Sequence, residues 1–230
     1  MVYRVFSNHN IGHSRIINAL ESWNRSDIIN IPINDSDLKR NIHNLPYLKD
    51  ILDIGYSKCI NDDDIILYTN TDIGLITDFD TFPNENFFSV RKNVERIKKY
   101  NKSELKNIKY QPVLCCDLFG ITKKWYQENK DNIPDFIIGS PSWDIAFLFI
   151  TDGIRIDNIS FHTLHGRTEW QLNSNQPFHS YNKKLFYDFL AKKGYNVENI
   201  ESIKKGQLTK IPPEILNYLK KHKGFNYLHY

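Results

Sequence analysis

Several things this sequence has little of narrow what it can be. Cysteine is scarce. Cys59, Cys115 and Cys116 are the three, and no two of them make a C-x-x-C pair. Adjacent Cys115 and Cys116 stand in an apolar run and read as buried thiols rather than ligands, which fits a reducing compartment. No charged-then-apolar leader opens the sequence, and no apolar run reaches membrane-spanning length, so a cytoplasmic protein with no membrane span is expected. Excess charge of one sign is also missing. A net charge of +3 does not by itself imply nucleic-acid binding. There is no internal repeat and no low-complexity linker. Alanine and methionine are sparse beside abundant asparagine and isoleucine, which reads as coding bias. What remains is a 230-residue chain, 40% hydrophobic and 25% charged, long enough for one large globular α/β domain with a modest extension.

The apolar runs alternate in kind over the first 75 residues. Residues 3–7 read as a strand that stops at Asn8-His9-Asn10. Ile16, Ile17, Leu20 and Trp23 lie at helical spacing, and residues 27–33 form a second strand ending at Asn34-Asp35. Residues 45–59 place Leu45, Leu48, Leu52 and Tyr56 on one helical face. The strand Ile65-Ile66-Leu67-Tyr68 then ends abruptly in Thr69-Asn70-Thr71-Asp72. Strand alternating with helix predicts βαβ units and a mainly parallel sheet.

The middle is less regular. Strands are predicted over 87–92 and 111–122, a solvated basic stretch over 93–110, and a short helix over 123–131. An apolar helix or strand begins at Trp143 after a Gly-Ser-Pro-Ser loop, and residues 153–170 end in a His-rich loop. Amphipathic helices over 181–195 and 212–224 form a C-terminal extension (181–230) expected to pack on the first 180 residues. From Lys192 to Lys223 eight lysines face three glutamates. This is a solvated face or a docking face for an anionic acceptor.

In parallel α/β sheets, ligands sit outside the carboxyl ends of strands. Three strands here end in polar clusters: Ser7-Asn8-His9, Asn34-Asp35 and Asn70-Thr71-Asp72. In an extended segment Asn70 and Asp72 would face the same way, so both could reach one hard cation, Mg2+ or Mn2+. A strand-closing Asn/Asp turn is the plainer reading. His162 or His165 could supply a further ligand, and Arg167 could face a phosphate. His-x-x-His also suits zinc, but no second Cys or His cluster completes a structural zinc site. Asp144 is a candidate general base. Equally, Ser142 could be a helix N-cap with Asp144 favouring the dipole in the first turn. Asp117 is similar but less placed. Trp143 could stack on a sugar or base, or pack in the core.

These pieces, in this order over roughly residues 1–170, resemble a small GT-A type glycosyltransferase. The segment ILYTNTDIGL looks like the strand that carries the family's Asp-x-Asp motif, with Asn70 where the first aspartate would stand. The resemblance implies a GT-A-like α/β fold, with a mixed, mainly parallel sheet flanked by helices. It implies a nucleoside-diphosphate sugar donor near Ser7, Asn8 and Asp35, and a divalent metal held by Asp72 and by His162 or His165. It makes residues 117–125 and 134–144 the acceptor side, with Asp144 at the acceptor hydroxyl. Lys124 or Arg167 could add positive charge at the leaving group. The acceptor is an unspecified hydroxyl, and nucleic acid enters only as a possible acceptor. Two other readings stand beside this one. A nucleotidyltransferase on a related scaffold would want a Gly-rich basic loop after the first strand, where SNHNIGHSR has one Gly and one Arg. A non-catalytic binding protein would dock through its basic C-terminal helices.

Overall fold

The computed structural model describes residues 1–8, 14–38, 41–42, 45–76, 81–94, 111–140, 142–157, 159–163, 180–195 and 217. Ten strands and five α-helices occur among them. In chain order they are β1 (Val2–Ser7), α1 (Ser14–Ser22), β2 (Ile28–Ile33), β3 (Asn41–Ile42), β4 (Leu45–Pro46), α2 (Leu48–Lys58), β5 (Ile65–Thr69), β6 (Ile73–Leu75), β7 (Phe87–Val94), β8 (Gln111–Thr122), α3 (Lys123–Asn129), α4 (Trp143–Thr151), β9 (Ile154–Ile156), β10 (Ser160–Thr163) and α5 (Tyr181–Lys192). The stretch 95–110, all of the predicted helix 212–224 except residue 217, and most of the basic run 192–223 lie outside the described residues.

Eight strands make one sheet in the order β2-β1-β5-β8-β7-β10-β6, with β9 also paired to β7. β1 lies parallel to β2 and β5, and β7 parallel to β9 and β10. β8 runs antiparallel between β5 and β7, and β6 antiparallel to β10. The result is the mixed, mainly parallel α/β sheet flanked by helices that the sequence predicts. Every residue of β1 and β5 is buried, because central strands of such a sheet are covered on both faces. Alternate side chains feed two cores. Val5, Ile66, Tyr68, Phe119 and Ile121 pack with α2, α4 and α5 on one face, while Val2, Ile65, Leu67 and Leu118 pack with Trp23 on the other. β2 is an edge strand and tolerates Pro32, since its outer N–H groups have no ladder to join.

The helix read over 45–59 begins three residues later, at Leu48. Leu45-Pro46 instead pairs with β3, as expected of a proline-containing start. Cys59 and Cys116 are buried free thiols. Burial and the nearby Asp64 push the Cys59 thiol up to about 12, so it stays protonated and inert. No helix among the described residues is long and apolar enough to cross a membrane. α5 belongs to the main core through Phe186, Tyr187 and Leu190, with Phe186 in edge contact with Phe149 of α4.

Two cross-strand pairs set a glycine under a phenylalanine ring: Gly120 opposite Phe87 and Gly74 opposite Phe161. A Cβ added at either glycine would fall inside the facing ring. Both rings are fully buried and have no room to swing aside. Gly120→Ala and Gly74→Ala are therefore each expected to destabilise the protein by about 1–3 kcal/mol through overpacking, read as a lowered urea midpoint. An unchanged midpoint would mean that the pairs are not packed as described.

Candidate functional site

The polar strand ends meet at the carboxyl edge of β1, β2 and β5. β1 ends in buried Ser7. The Asn8 amide N–H donates to the Ile33 carbonyl (2.8 Å), and its side chain bonds that of Asn34. After β2 the chain turns through a single 3-10 turn, Asp35–Asp37. Asp37 secures the turn by accepting the Asn34 backbone N–H at 2.8 Å. Asp35 opens it.

Beyond β5 the chain is a turn, closed by the Ile73 N–H on the Asn70 carbonyl (3.2 Å). This is the plainer of the two readings of Asn70-Thr71-Asp72, and it has a consequence for the site. Because the segment turns, the side chains of Asn70 and Asp72 take different partners. Asn70 Nδ2 donates to Asp117 Oδ1 (2.9 Å), and Asn70 Oδ1 accepts from the Tyr68 hydroxyl (2.8 Å). Thr71 Oγ1 donates to the Ser7 carbonyl (2.8 Å), pinning the turn to β1. Asp72 reaches across to β10, where its Oδ2 lies 2.7 Å from His162 Nε2. His162 stands opposite Ile73 in the β10–β6 ladder, so backbone pairing places its ring beside Asp72. The carboxylate is 5% exposed and the imidazole 11%, which makes the histidine the more open half of the pair.

Tyr68 gives this cluster a fixed polarity. Burial, with the charges of Asp117 and Asp72 nearby, pushes its hydroxyl well above the ordinary tyrosine value. The phenol therefore stays protonated and donates to Asn70, whose NH2 turns to the acceptor-only Asp117.

Helix α4 approaches the same edge. Trp143 packs edge-on against Tyr68 (5.3 Å between centroids) and tilted on Phe119 (5.5 Å). It is 7% exposed and serves the core. Ser142 is the N-cap in a left-handed conformation (φ 73°) without a side-chain cap bond. Asp144 is half-buried in the first turn. Lys124 stands elsewhere. It follows Thr122, which pairs with Ile65 at the amino end of β5, and its N–H bonds the Asp62 carbonyl (3.1 Å). It cannot charge a site at the opposite end of that strand. His165 and Arg167 lie outside the described residues.

Two residues here escaped sequence reasoning or were only half seen by it. Arg4 lies fully buried in β1 beneath the turn, where an arginine inside an apolar strand was the available signal. Asp117 flanks Asn70 because β8 runs antiparallel to β5 in a register that sequence does not show.

Asp72 and His162 are the described side chains that could together hold a cation. Among the described residues no group of three or more His, Cys, Asp or Glu is arranged for a metal ion. A carboxylate oxygen and an imidazole nitrogen fit an ion that takes its other ligands from water and a diphosphate, as Mg2+ commonly does and Mn2+ can. They do not make a four-ligand zinc site. No protein-family model matches this chain, and no curated protein matches it significantly.

Proposed function

We propose that this protein is a glycosyltransferase of the GT-A type, moving a sugar from a nucleoside-diphosphate donor to a hydroxyl acceptor with Mn2+ or Mg2+. The observation that carries this reading is the Asp72–His162 contact at 2.7 Å. It joins residues ninety positions apart at the carboxyl edge of a mainly parallel sheet, where α/β folds bind ligands. Ser7 and Asn8 stand on the neighbouring strand and suit the nucleotide. Sequence places His165 and Arg167 within five residues of His162, with chemistry suited to the same diphosphate.

Each residue then has a distinct task. Asp72 and His162 would hold the cation, which would supply charge stabilisation to the departing diphosphate. Asp144, half-buried at the start of α4, takes the proton of the acceptor hydroxyl. Transfer passes through an oxocarbenium-like state.

The test is release of nucleoside diphosphate from a panel of nucleotide sugars, with Mn2+ present. Asp72→Asn should lower that release by about a hundredfold or more while the circular dichroism spectrum is retained. Pyrophosphate release from a nucleoside triphosphate would decide for a nucleotidyltransferase instead.

A further inference from the structure

We propose that Trp23 is a positioning residue of the cation site: together with Ser22 it stands in for a further strand beside β6, and so fixes His162 against Asp72. The inference rests on the reading of Asp72 and His162 as a cation-holding pair, and it assigns the end of α1 as the clamp that sets the geometry of that pair.

Among the described residues β6 is the last strand in the sheet order, and it is only Ile73–Leu75. It pairs with β10, Gly74 standing opposite Phe161 and Ile73 opposite His162. Just beyond, the Ile76 N–H bonds the Ile159 carbonyl (2.6 Å). Hydrogen-bonded pairs alternate along an antiparallel ladder. Gly74 therefore bonds inward to Phe161, while the backbone groups of Ile73 and Leu75 point away from β10. At an open sheet edge such groups meet water. Here both residues are fully buried, where an unpaired backbone group is costly. The end of α1 supplies the partners. The Trp23 indole N–H donates to the Ile73 carbonyl (2.7 Å), and the Leu75 N–H donates to Ser22 Oγ (2.7 Å). Ser22 Oγ gives its own hydrogen to the Ala19 carbonyl, which leaves its lone pairs for Leu75. Two consecutive side chains thus do for β6 what a neighbouring strand would do.

The consequence falls on the cation pair. Ile73 follows Asp72 directly and faces His162 in the closer kind of antiparallel pair, with about 4.5 Å between Cα atoms. Its N–H closes the turn on the Asn70 carbonyl (3.2 Å), and its carbonyl is taken by Trp23. Both backbone groups of the residue between the two ligands are therefore fixed. A strand of three residues has little register security of its own, yet the 2.7 Å approach of Asp72 to His162 depends on that register. Trp23 suits the task. It is fully buried, and its ring covers the Arg4 guanidinium, whose carbon lies 4.6 Å from the Trp23 ring centre and 4.1 Å from that of Phe6. A ring held on that side cannot swing, and an indole has a single donor to place. Groups that orient metal ligands in this way tune affinity without touching the metal.

Trp23→Phe keeps an aromatic ring over Arg4 and removes the N–H, and Ser22→Ala removes the other partner of β6. Titration calorimetry measures the affinity of each variant for UDP with and without Mn2+. Trp23→Phe should lose about tenfold of the affinity gained with Mn2+, and Ser22→Ala should lose part of it. Affinity for UDP without Mn2+ should stay within about twofold of the wild type in both. A folded Trp23→Phe that keeps the whole Mn2+-dependent gain would overturn the proposal. So would equal weakening of UDP with and without Mn2+, the mark of a merely structural role. A second measurement needs no metal. Chemical unfolding compares the wild type, Trp23→Phe, His162→Gln and the double variant. Loss of the histidine should change the unfolding equilibrium constant about fivefold less in Trp23→Phe than in the wild type, because the contact is already loosened there. Additive effects would overturn the clamp. If Trp23→Phe does not fold, Ser22→Ala carries both measurements, with the same outcomes deciding. A wild type whose UDP affinity ignores Mn2+ would overturn the cation reading, and the unfolding cycle would then decide whether Trp23 sets the Asp72–His162 contact.

Discussion

Asn70→Asp, the change that would write Asp-x-Asp into this chain, is expected to weaken Mn2+–UDP binding and turnover by about tenfold or more. It should also destabilise the fold by about 1–3 kcal/mol. The reason lies in the partners of the side chain. Asn70 Nδ2 faces Asp117 Oδ1 at 2.9 Å, so a carboxylate at position 70 would exchange a donor for a second negative charge. Two carboxylates in contact cannot both stay ionised without cost. Either one takes up a proton or the turn moves away from β8, carrying Asp72 with it. Moving the charge rather than adding one separates these effects. The double variant Asn70→Asp/Asp117→Asn keeps one amide and one carboxylate in contact and should recover most of the lost stability. Chemical denaturation of the three variants reads the stability change, and titration calorimetry reads the affinity. Tighter Mn2+–UDP binding by the single variant would mean that position 70 is a vacant ligand position rather than the holder of Asp117.

The second large effect is expected far from the cation. Asn182 is fully buried at the start of α5. Its Oδ1 accepts the Ile137 N–H (2.7 Å), and its Nδ2 donates to the carbonyls of Ile137 (2.7 Å) and Ser140 (3.0 Å). One amide thus satisfies three backbone groups of the segment leading into α4. That segment needs the support, since Gly139 and Ser142 both adopt left-handed backbone conformations (φ 88° and 73°), and for serine this is a strained choice. Asn182→Ala strands the Ile137 N–H inside the core and takes one donor from the carbonyls of Ile137, which keeps the Ser140 N–H at 3.4 Å, and of Ser140, at about 1–3 kcal/mol for a buried group left unpaired. A total loss of about 2–3 kcal/mol is expected, measured as a shift of the urea midpoint. The same change frees the start of α4, so under the proposed transferase function the Michaelis constant for the acceptor should rise more than that for the nucleotide sugar. A loss under about 1 kcal/mol would show that α5 is a loosely attached appendage and not a staple for the segment leading into α4.

Much of this could be read from the residues alone, for physical reasons. The apolar runs in β1 and β5 have no polar face to hide, and the polar clusters that end them lie where a parallel sheet gathers its ligands. That logic anticipates the meeting of Asp72 with a histidine from 162–165. The outcome was less legible wherever it depended on a turn or a register. Asn70 and Asp72 share a face only if the chain stays extended, and the Asn70–Ile73 hydrogen bond ends the extension. Lys124 looks available in sequence, yet antiparallel pairing of β8 with β5 carries it to the opposite edge. The same pairing brings Asp117 against Asn70, and no local pattern announces a cross-strand neighbour. Arg4 breaks the apolar run of β1, but sequence alone does not say that its charge is turned inward under two aromatic rings.

The central claim is that Asp72 and His162 grip a cation bound to a diphosphate. Titration calorimetry of UDP into the wild type and into Asp72→Asn, each with and without Mn2+, tests it most directly. UDP should bind the wild type at least about tenfold more tightly with Mn2+ than without, and that gain should vanish in Asp72→Asn. Binding of UDP that is indifferent to Mn2+, or equal in the two proteins, would contradict it.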